Sequence, residues 1–322
     1  MVGKRGQVTI FIVIALVLVA IVGGYFILKN RSGKEKISPL ADPVEKTILS
    51  CLEEDLSEGV SVLEANGGSM YYDSFSPGSR YMPFSSHLDF VGEEIPYWYY
   101  ISGNNLEVQN VPSKSDMEED LERFVKESIK DCNLNDYYDE GYQISERVSD
   151  AKVKISGRSV EVDLKMDLVV EKEGEIATVS DHYAKVNSKI GELYDDAIKV
   201  YQKEQSDLFL EKYGIDNLRL YAPVDGVELT CSPLTWNASS VFGDIRDAVE
   251  LNTLALKGSG EKNDYFNLDL PVNNEVRFVN SRNWPSKIEV SPSKGNMLIA
   301  EPVGNQQGLG ILGFCYVTYH FV

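Results

Sequence analysis

The sequence predicts an α+β protein: an N-terminal transmembrane helix, then an α+β domain with a three-stranded antiparallel meander, then a C-terminal β-rich domain. Three observations carry that reading. Residues 8–28 are an uninterrupted apolar run, apolar residues recur at helical spacing after Asp42 and again after Ser115, and Ala151 to Val186 alternates with a period of two. The boundaries that follow are a cytoplasmic tail over 1–7, a span over 8–28, a juxtamembrane linker over 29–41, the α+β domain over 42–221 and the β-rich domain over 222–322.

The run VTIFIVIALVLVAIVGGYFIL holds 21 residues without a charge. As a helix rising about 1.5 Å per residue it covers the roughly 30 Å core of a bilayer. A cleaved secretory signal would have a shorter apolar stretch, and here the run continues through Tyr25 to Leu28 beyond the small pair Gly23-Gly24. A retained single-pass anchor is therefore expected. Just ahead stands Lys4-Arg5-Gly6-Gln7-Val8, which resembles the class III signal of archaeal type IV pilin-like proteins. That resemblance implies cleavage between Gly6 and Gln7 and a helix kept for packing into a filament. The sequence departs from the pattern at Phe11, where the family often carries Glu. The competing reading is that Lys4 and Arg5 simply hold the tail in the cytoplasm.

Charge separates the stem from the body. The chain of 322 residues has 31 Lys+Arg and 50 Asp+Glu, a net charge of -19, yet residues 1–36 hold six basic groups and one acidic group. Beyond them stand 25 basic and 49 acidic residues, net -24. Such a body repels phosphate backbones, and no basic, aromatic-interleaved stripe offsets this, so nucleic acid is not an expected partner. Lys29, Arg31, Lys34 and Lys36 outnumber the basic residues before the span, which by the positive-inside rule would place the body in the cytoplasm. The acidic body, the cysteines and the sequon Asn237-Ala238-Ser239, a candidate glycosylation site at Asn237, point outside instead. An extracellular body with a cytoplasmic N-terminus is the expectation.

Cys51, Cys132, Cys231 and Cys315 all follow the span, with no CxxC pair to suggest zinc or redox chemistry. Two disulfides are expected in an oxidising exterior. Asp42-Pro43-Val44-Glu45 reads as a helix start with a box-like Glu, followed by Val44, Ile48, Cys51, Leu52, Leu56, Val60 and Leu63 on one face before Gly67-Gly68. Ser115-Asp116-Met117-Glu118 reads as a second capping box, followed by Met117, Leu121, Phe124, Val125, Ile129 and Cys132. Both cysteines fall on buried faces, so Cys51 with Cys132 and Cys231 with Cys315 are the preferred pairs; four reduced core thiols are the alternative.

Ile95 to Ile101 reads as an aromatic strand, and the meander has turns at Ser156-Gly157-Arg158 and Glu173-Gly174-Glu175. Ser188 to Tyr213 returns to helical spacing with a bend near Gln205. After Pro223 short strands are expected at Gly226 to Cys231, Val276 to Val279, Lys287 to Val290 and Phe314 to Val322, with a helix from Ser240 to Leu256.

No catalytic, cofactor or metal constellation emerges. Gly308 to Gly313 matches GxGxxG but lacks the helix and acidic residue a dinucleotide needs, and Lys257 to Lys262 lacks phosphate-loop spacing. His87, His182 and His320 belong to no HExxH, no GxSxG is present, and His182 after Asp181 in an alternating strand reads as a surface histidine. Glu118-Glu119-Asp120 and Asp195-Asp196 lack EF-hand spacing and read as solvated helix faces. Paired carboxylates for glycan hydrolysis depend on a three-dimensional separation, so a surface glycan or peptide hydrolase stays as an alternative. Tyr97, Trp98, Tyr99 and Tyr100 are the candidate interaction residues, since Tyr and Trp give large contact area with little entropy loss; core packing is the competing reading.

Several stretches together resemble a family of single-pass, membrane-anchored surface proteins of small-genome, woesearchaeal-type archaea. They are the KRGQVTIFI start, Ser50 to Glu54, Gly67-Gly68, Tyr97 to Tyr100, Leu229 to Trp236, Asn283-Trp284-Pro285, Glu289 to Ser293 and Gly308 to Phe321. The resemblance spans nearly the whole chain and implies a surface protein continuing past Val322. The family has no established activity, so it assigns no site residues. The functional expectation is a non-catalytic, membrane-anchored extracellular protein acting in adhesion or envelope organisation. Its expected contacts are the membrane, copies of itself, or a surface protein or glycan. A pilin-like filament subunit processed after Gly6 is the structural alternative.

Overall fold

The computed structural model describes residues 37–322 except 73–74, 80–82, 222–224, 229–233, 255, 257–268, 286–289, 292, 295–296, 303–314, 319 and 322. The span, Gly6, Gln7, Cys231 and both glycine-rich loops considered above lie outside the described residues. Among the described residues no helix is long and apolar enough to cross a membrane. The described residues divide into two compact units, one within 37–50, 132–149 and 165–182, the other within 51–131, 150–164 and 183–321.

The fold is α+β, with a three-stranded antiparallel sheet in the order β5-β6-β7. Its strands are β5 (Gln143–Ile155), β6 (Ser159–Lys172) and β7 (Glu175–Asn187). The turns fall where the glycines predict them. Ser156 N–H donates to Ser159 O across the first. The second has Glu173 at φ 53° and Gly174 at φ 85°, the paired left-handed residues whose twist matches a hairpin. Along β6, Val160, Val162, Leu164, Met166, Leu168 and Val170 are all buried in strict alternation. The two outer strands behave differently. The buried phase slips by one residue at Ser149-Asp150 in β5 and at Ser180-Asp181 in β7, as a β-bulge makes it do. The opposite face is wet and charged, crossed by Lys185 to Glu161 at 2.7 Å and by Lys165 to Asp181.

Helix α1 (Asp42–Ala65) carries its apolar residues three and four apart, and Val44, Ile48, Leu52, Leu56, Val60 and Leu63 are buried. Burial of each contributes roughly 2 kcal/mol. The helix stops at Gly67 and Gly68, both at positive φ, where Gly68 N–H donates back to Leu63 O at 2.8 Å. Helix α2 (Lys114–Ser128) starts two residues before the expected box. Ser113 is the cap: its Oγ accepts from Asp116 N–H at 3.1 Å while Asp116 accepts from Ser113 N–H at 2.8 Å. This frees Glu118, whose carboxylate accepts from Ile155 N–H at 2.9 Å. Glu122, one turn on, accepts from Val153 N–H at 3.2 Å. Outward N–H groups of an edge strand recur every second residue, and carboxylates four apart on a helix match that spacing. The open edge of β5 is capped in this way.

Short helix α3 (Asn135–Asp139) is tied to the start of α1, because Tyr137 Oη donates to Pro43 O at 2.8 Å and lies 2.8 Å from Thr47 Oγ1. The predicted strand at Ile95 to Ile101 is two strands in two hairpins. β1 (His87–Phe90) pairs with β2 (Glu93–Pro96), and β3 (Tyr99–Ile101) with β4 (Glu107–Gln109), the chain turning at Tyr97-Trp98. Helices α4 (Ile190–Asp207) and α5 (Phe209–Tyr221) meet at Leu208, which has φ 52°, three residues past the expected bend. Farther on, β8 (Asp225–Glu228), β9 (Leu234–Asn237), β11 (Ser293–Lys294), β12 (Met297–Pro302) and β13 (Cys315–Thr318) form one five-stranded sheet, and β10 (Val290–Ser291) pairs with β14 (His320–Phe321). Helix α6 (Ala238–Thr253) starts two residues earlier than predicted. Val276 to Val279 is not a strand, having only an isolated bridge at Arg277. The neighbouring backbone is held instead by Asp196, which accepts from the N–H groups of Asn273 and Asn274.

Candidate functional site

The candidate interaction residues take part in packing. Trp98 donates its indole N–H to Gly67 O at 2.8 Å, and its ring meets Tyr201 edge-on at 6.0 Å and Tyr194 at 6.3 Å. Tyr97 and Tyr100 have centroids 6.3 Å apart, and burial raises the Tyr97 phenol pKa. All four are half-buried. Tyr194 in turn donates to Pro112 O at 2.8 Å and stands under Lys114, which pairs with Asp195 at 2.8 Å. Tyr97, Trp98, Tyr99 and Tyr100 thus have one side committed to the body.

A groove of about 400 Å3 is lined by Val62 of α1, Met70, Tyr71, Phe124, Glu127, Ser128 and Asp131. Its walls come together because Gly59 has no Cβ. A methyl there would stand 2.9 Å from both Leu121 Cδ2 and Phe124 Cδ1. Asp120 holds the third wall, accepting from Met70 N–H at 2.9 Å and Tyr71 N–H at 3.4 Å. Arg123 lies over the Tyr71 ring at 4.3 Å, and Tyr71 Oη donates to Glu127 at 3.4 Å. On α1, Asp55 Oδ2 is buried without a hydrogen-bond partner. Burial, then the charges of Glu58, Glu54 and Asp131, push its carboxyl up to about 6.

The other unit holds a buried ionisable pair. His182 is 2% exposed and Glu45 3%, which overturns the surface reading of the histidine. The slip at Ser180-Asp181 is the reason, since it turns His182 onto the dry face. Nε2 donates to Met166 O at 2.8 Å and Nδ1 faces Glu45 Oε1 at 3.0 Å. Glu45 is therefore a partner of the imidazole, and the box-like role expected at the helix start falls away. Glu146 on β5 is the nearby second carboxyl, raised by burial and lowered by His182.

Cys51 and Cys132 are both disulfide-bonded, and Cys132 Sγ lies 3.9 Å from Thr47 O, one turn before Cys51. Cys315 lies in β13. Asn237 is exposed and caps α6, its Oδ1 accepting from Ser239 N–H at 3.0 Å and Ser240 N–H at 3.3 Å. Among the described residues no cluster of three or more His, Cys, Asp or Glu is arranged to hold a metal ion. The groove went unnoticed in the sequence because its lining comes from three separated segments. The His182–Glu45 pair had one signal, the phase break in β7. No family model, curated protein or solved structure matches the chain.

Proposed function

We propose that the chain is a single-pass, membrane-tethered extracellular protein that acts through contacts, in surface adhesion or envelope organisation, without catalysis. The observation that carries this reading is the disulfide-bonded state of Cys51 and Cys132, shortly after an apolar run long enough to span a bilayer. Structural disulfides persist in oxidising compartments and are rare in the cytosol. The half-buried aromatic cluster at Tyr97 to Tyr100 and the groove lined by Tyr71 and Phe124 supply contact surface. Kinship with the membrane-anchored archaeal proteins named above belongs to the same proposal.

The test is the intact mass of the protein from native membranes, with and without reductant. Retention of residues 1–6 and a gain of two hydrogens for each disulfide are expected. No gain would place the body in a reducing compartment. A start at Gln7 would favour the pilin-like filament subunit over the plain tether.

A further inference from the structure

The groove beside α2 is lined by both apolar and acidic side chains. Phe124, Glu127 and Ser128 at i, i+3 and i+4 share one face of α2, and Asp131 follows in the 3-10 turn Ile129–Asp131. Polarity changes along that line. Val62, Met70 and Phe124 make one end apolar, while Glu127 and Asp131 place two carboxylates toward the other. Among the described residues Glu127 and Asp131 form no ion pair, and Glu127 accepts from Tyr71 Oη at 3.4 Å. The two carboxylates thus reach the groove without an ion-pair partner among the described residues. Arg123, the nearest guanidinium, is placed over Tyr71.

We propose that this groove binds the side chain of a lysine presented by a partner protein. The aliphatic stem lies over Val62, Met70 and Phe124, and the ammonium sits between Glu127 and Asp131. Lysine matches the polarity order because it carries four methylenes and then a single compact charge. A free diamine fits worse, since its second ammonium would be desolvated against the apolar end. Arginine fits worse too, because its fork is wider than a lone ammonium. Nothing in this geometry depends on which side of the membrane the body occupies.

The experiment uses the full chain in lipid nanodiscs with methyl-labelled Met and Val. The probes are a Gly/Ser peptide with one central lysine, the same peptide with that lysine Nε-acetylated, and putrescine. Titration of the lysine peptide is expected to shift the Met70 and Val62 methyl signals saturably. The acetylated peptide is expected to leave them in place. Glu127→Gln with Asp131→Asn, both removing acids at the groove, is expected to weaken binding about fivefold to tenfold, the scale of two partly exposed ion pairs. Unchanged dispersion of the remaining methyl signals shows that this variant is folded. Equal shifts with the acetylated peptide, no shift with the lysine peptide, or tighter binding of putrescine would each overturn the proposal.

Discussion

Nδ1 of His182 lies 3.0 Å from Oε1 and 2.9 Å from Oε2 of Glu45, so one ring nitrogen faces both oxygens of a buried carboxylate. Nε2 must carry its proton, because Met166 O can only accept. Nδ1 is therefore the ring nitrogen that meets the carboxylate. Burial alone would lower the His182 pKa. The hydrogen bonds to Glu45 and Met166 O, with the charges of Glu45 and Asp181, outweigh it, and the net shift is upward from 6.5.

A group whose folded pKa is raised contributes stability that is full below its unfolded value and lost as pH rises through the folded value. The difference in melting temperature between the native chain and a Glu45→Leu/His182→Leu double variant is thus expected to shrink as pH rises above 6.5. The charges of Glu146 on β5 and Asp181 on β7 interact with His182, and both residues are kept in the two chains compared. Single Glu45→Ala or His182→Ala is expected to cost about 3–5 kcal/mol by stranding one ionisable group, and the apolar double variant much less. Denaturant titration measures both. A double variant as damaged as the singles would show that the pair acts through shape, not charge.

Asp196 gives the opposite pH signature. It is buried, which by itself raises its pKa, yet Lys199, Asn274 and Asn273 donate to it and bring it down from 3.8 to about 2. Its contribution is present above pH 3.8 and disappears as pH falls toward 2. Asp196→Ala is expected to cost about 2 kcal/mol by leaving the Asn273 and Asn274 amides without their acceptor. Hydrogen exchange should show those two amides losing protection first. Unaltered protection would mean that the turn is held by something other than Asp196.

How much of this was legible depends on whether a period or a pairing was needed. The face of α1 from Val44 to Leu63 and the inward row of β6 from Val160 to Val170 follow from spacing alone, because each element keeps one phase throughout. His182 did not, since a slip two residues upstream moves it to the other face. At the start of α2 the box expected at Ser115 gives way to a Ser113–Asp116 box, and Glu118 accepts from Ile155 N–H instead. The groove required Val62, Tyr71 and Asp131 to meet, which no local pattern encodes.

The capped edge of β5 makes its own prediction. Glu118→Ala and Glu122→Ala each remove an acceptor from one edge amide, at about 1 kcal/mol apiece. Faster exchange is expected at Ile155 in the first variant and at Val153 in the second, while the amides of β6 stay protected. The double variant exposes two adjacent edge donors and should self-associate more readily at high concentration, read by light scattering. A monomeric double variant would assign edge protection to the charged face instead.

Two glycines separate a rigid contact from a compliant one. At Gly59 an added Cβ would meet only side-chain atoms, Leu121 Cδ2 and Phe124 Cδ1, each at 2.9 Å. Those rings and methyls can rotate, so Gly59→Ala is expected to cost about 1–2 kcal/mol through overpacking, partly offset by better helix propensity. At Gly191 the added Cβ would run into the carbonyl oxygen of Ser156 and lie 2.8 Å from its carbon. That carbonyl belongs to the β5–β6 turn, which is fixed by Ser156 N–H to Ser159 O at 2.8 Å and by Glu192 N–H to Gly157 O at 3.2 Å. Backbone pinned on both sides cannot yield as a side chain does. Gly191→Ala is therefore expected to cost more than about 3 kcal/mol, beyond the usual range for a single added methyl. Thermal unfolding of the two variants side by side decides it: equal losses would mean that the turn moves away from α4 as easily as Phe124 moves from α1.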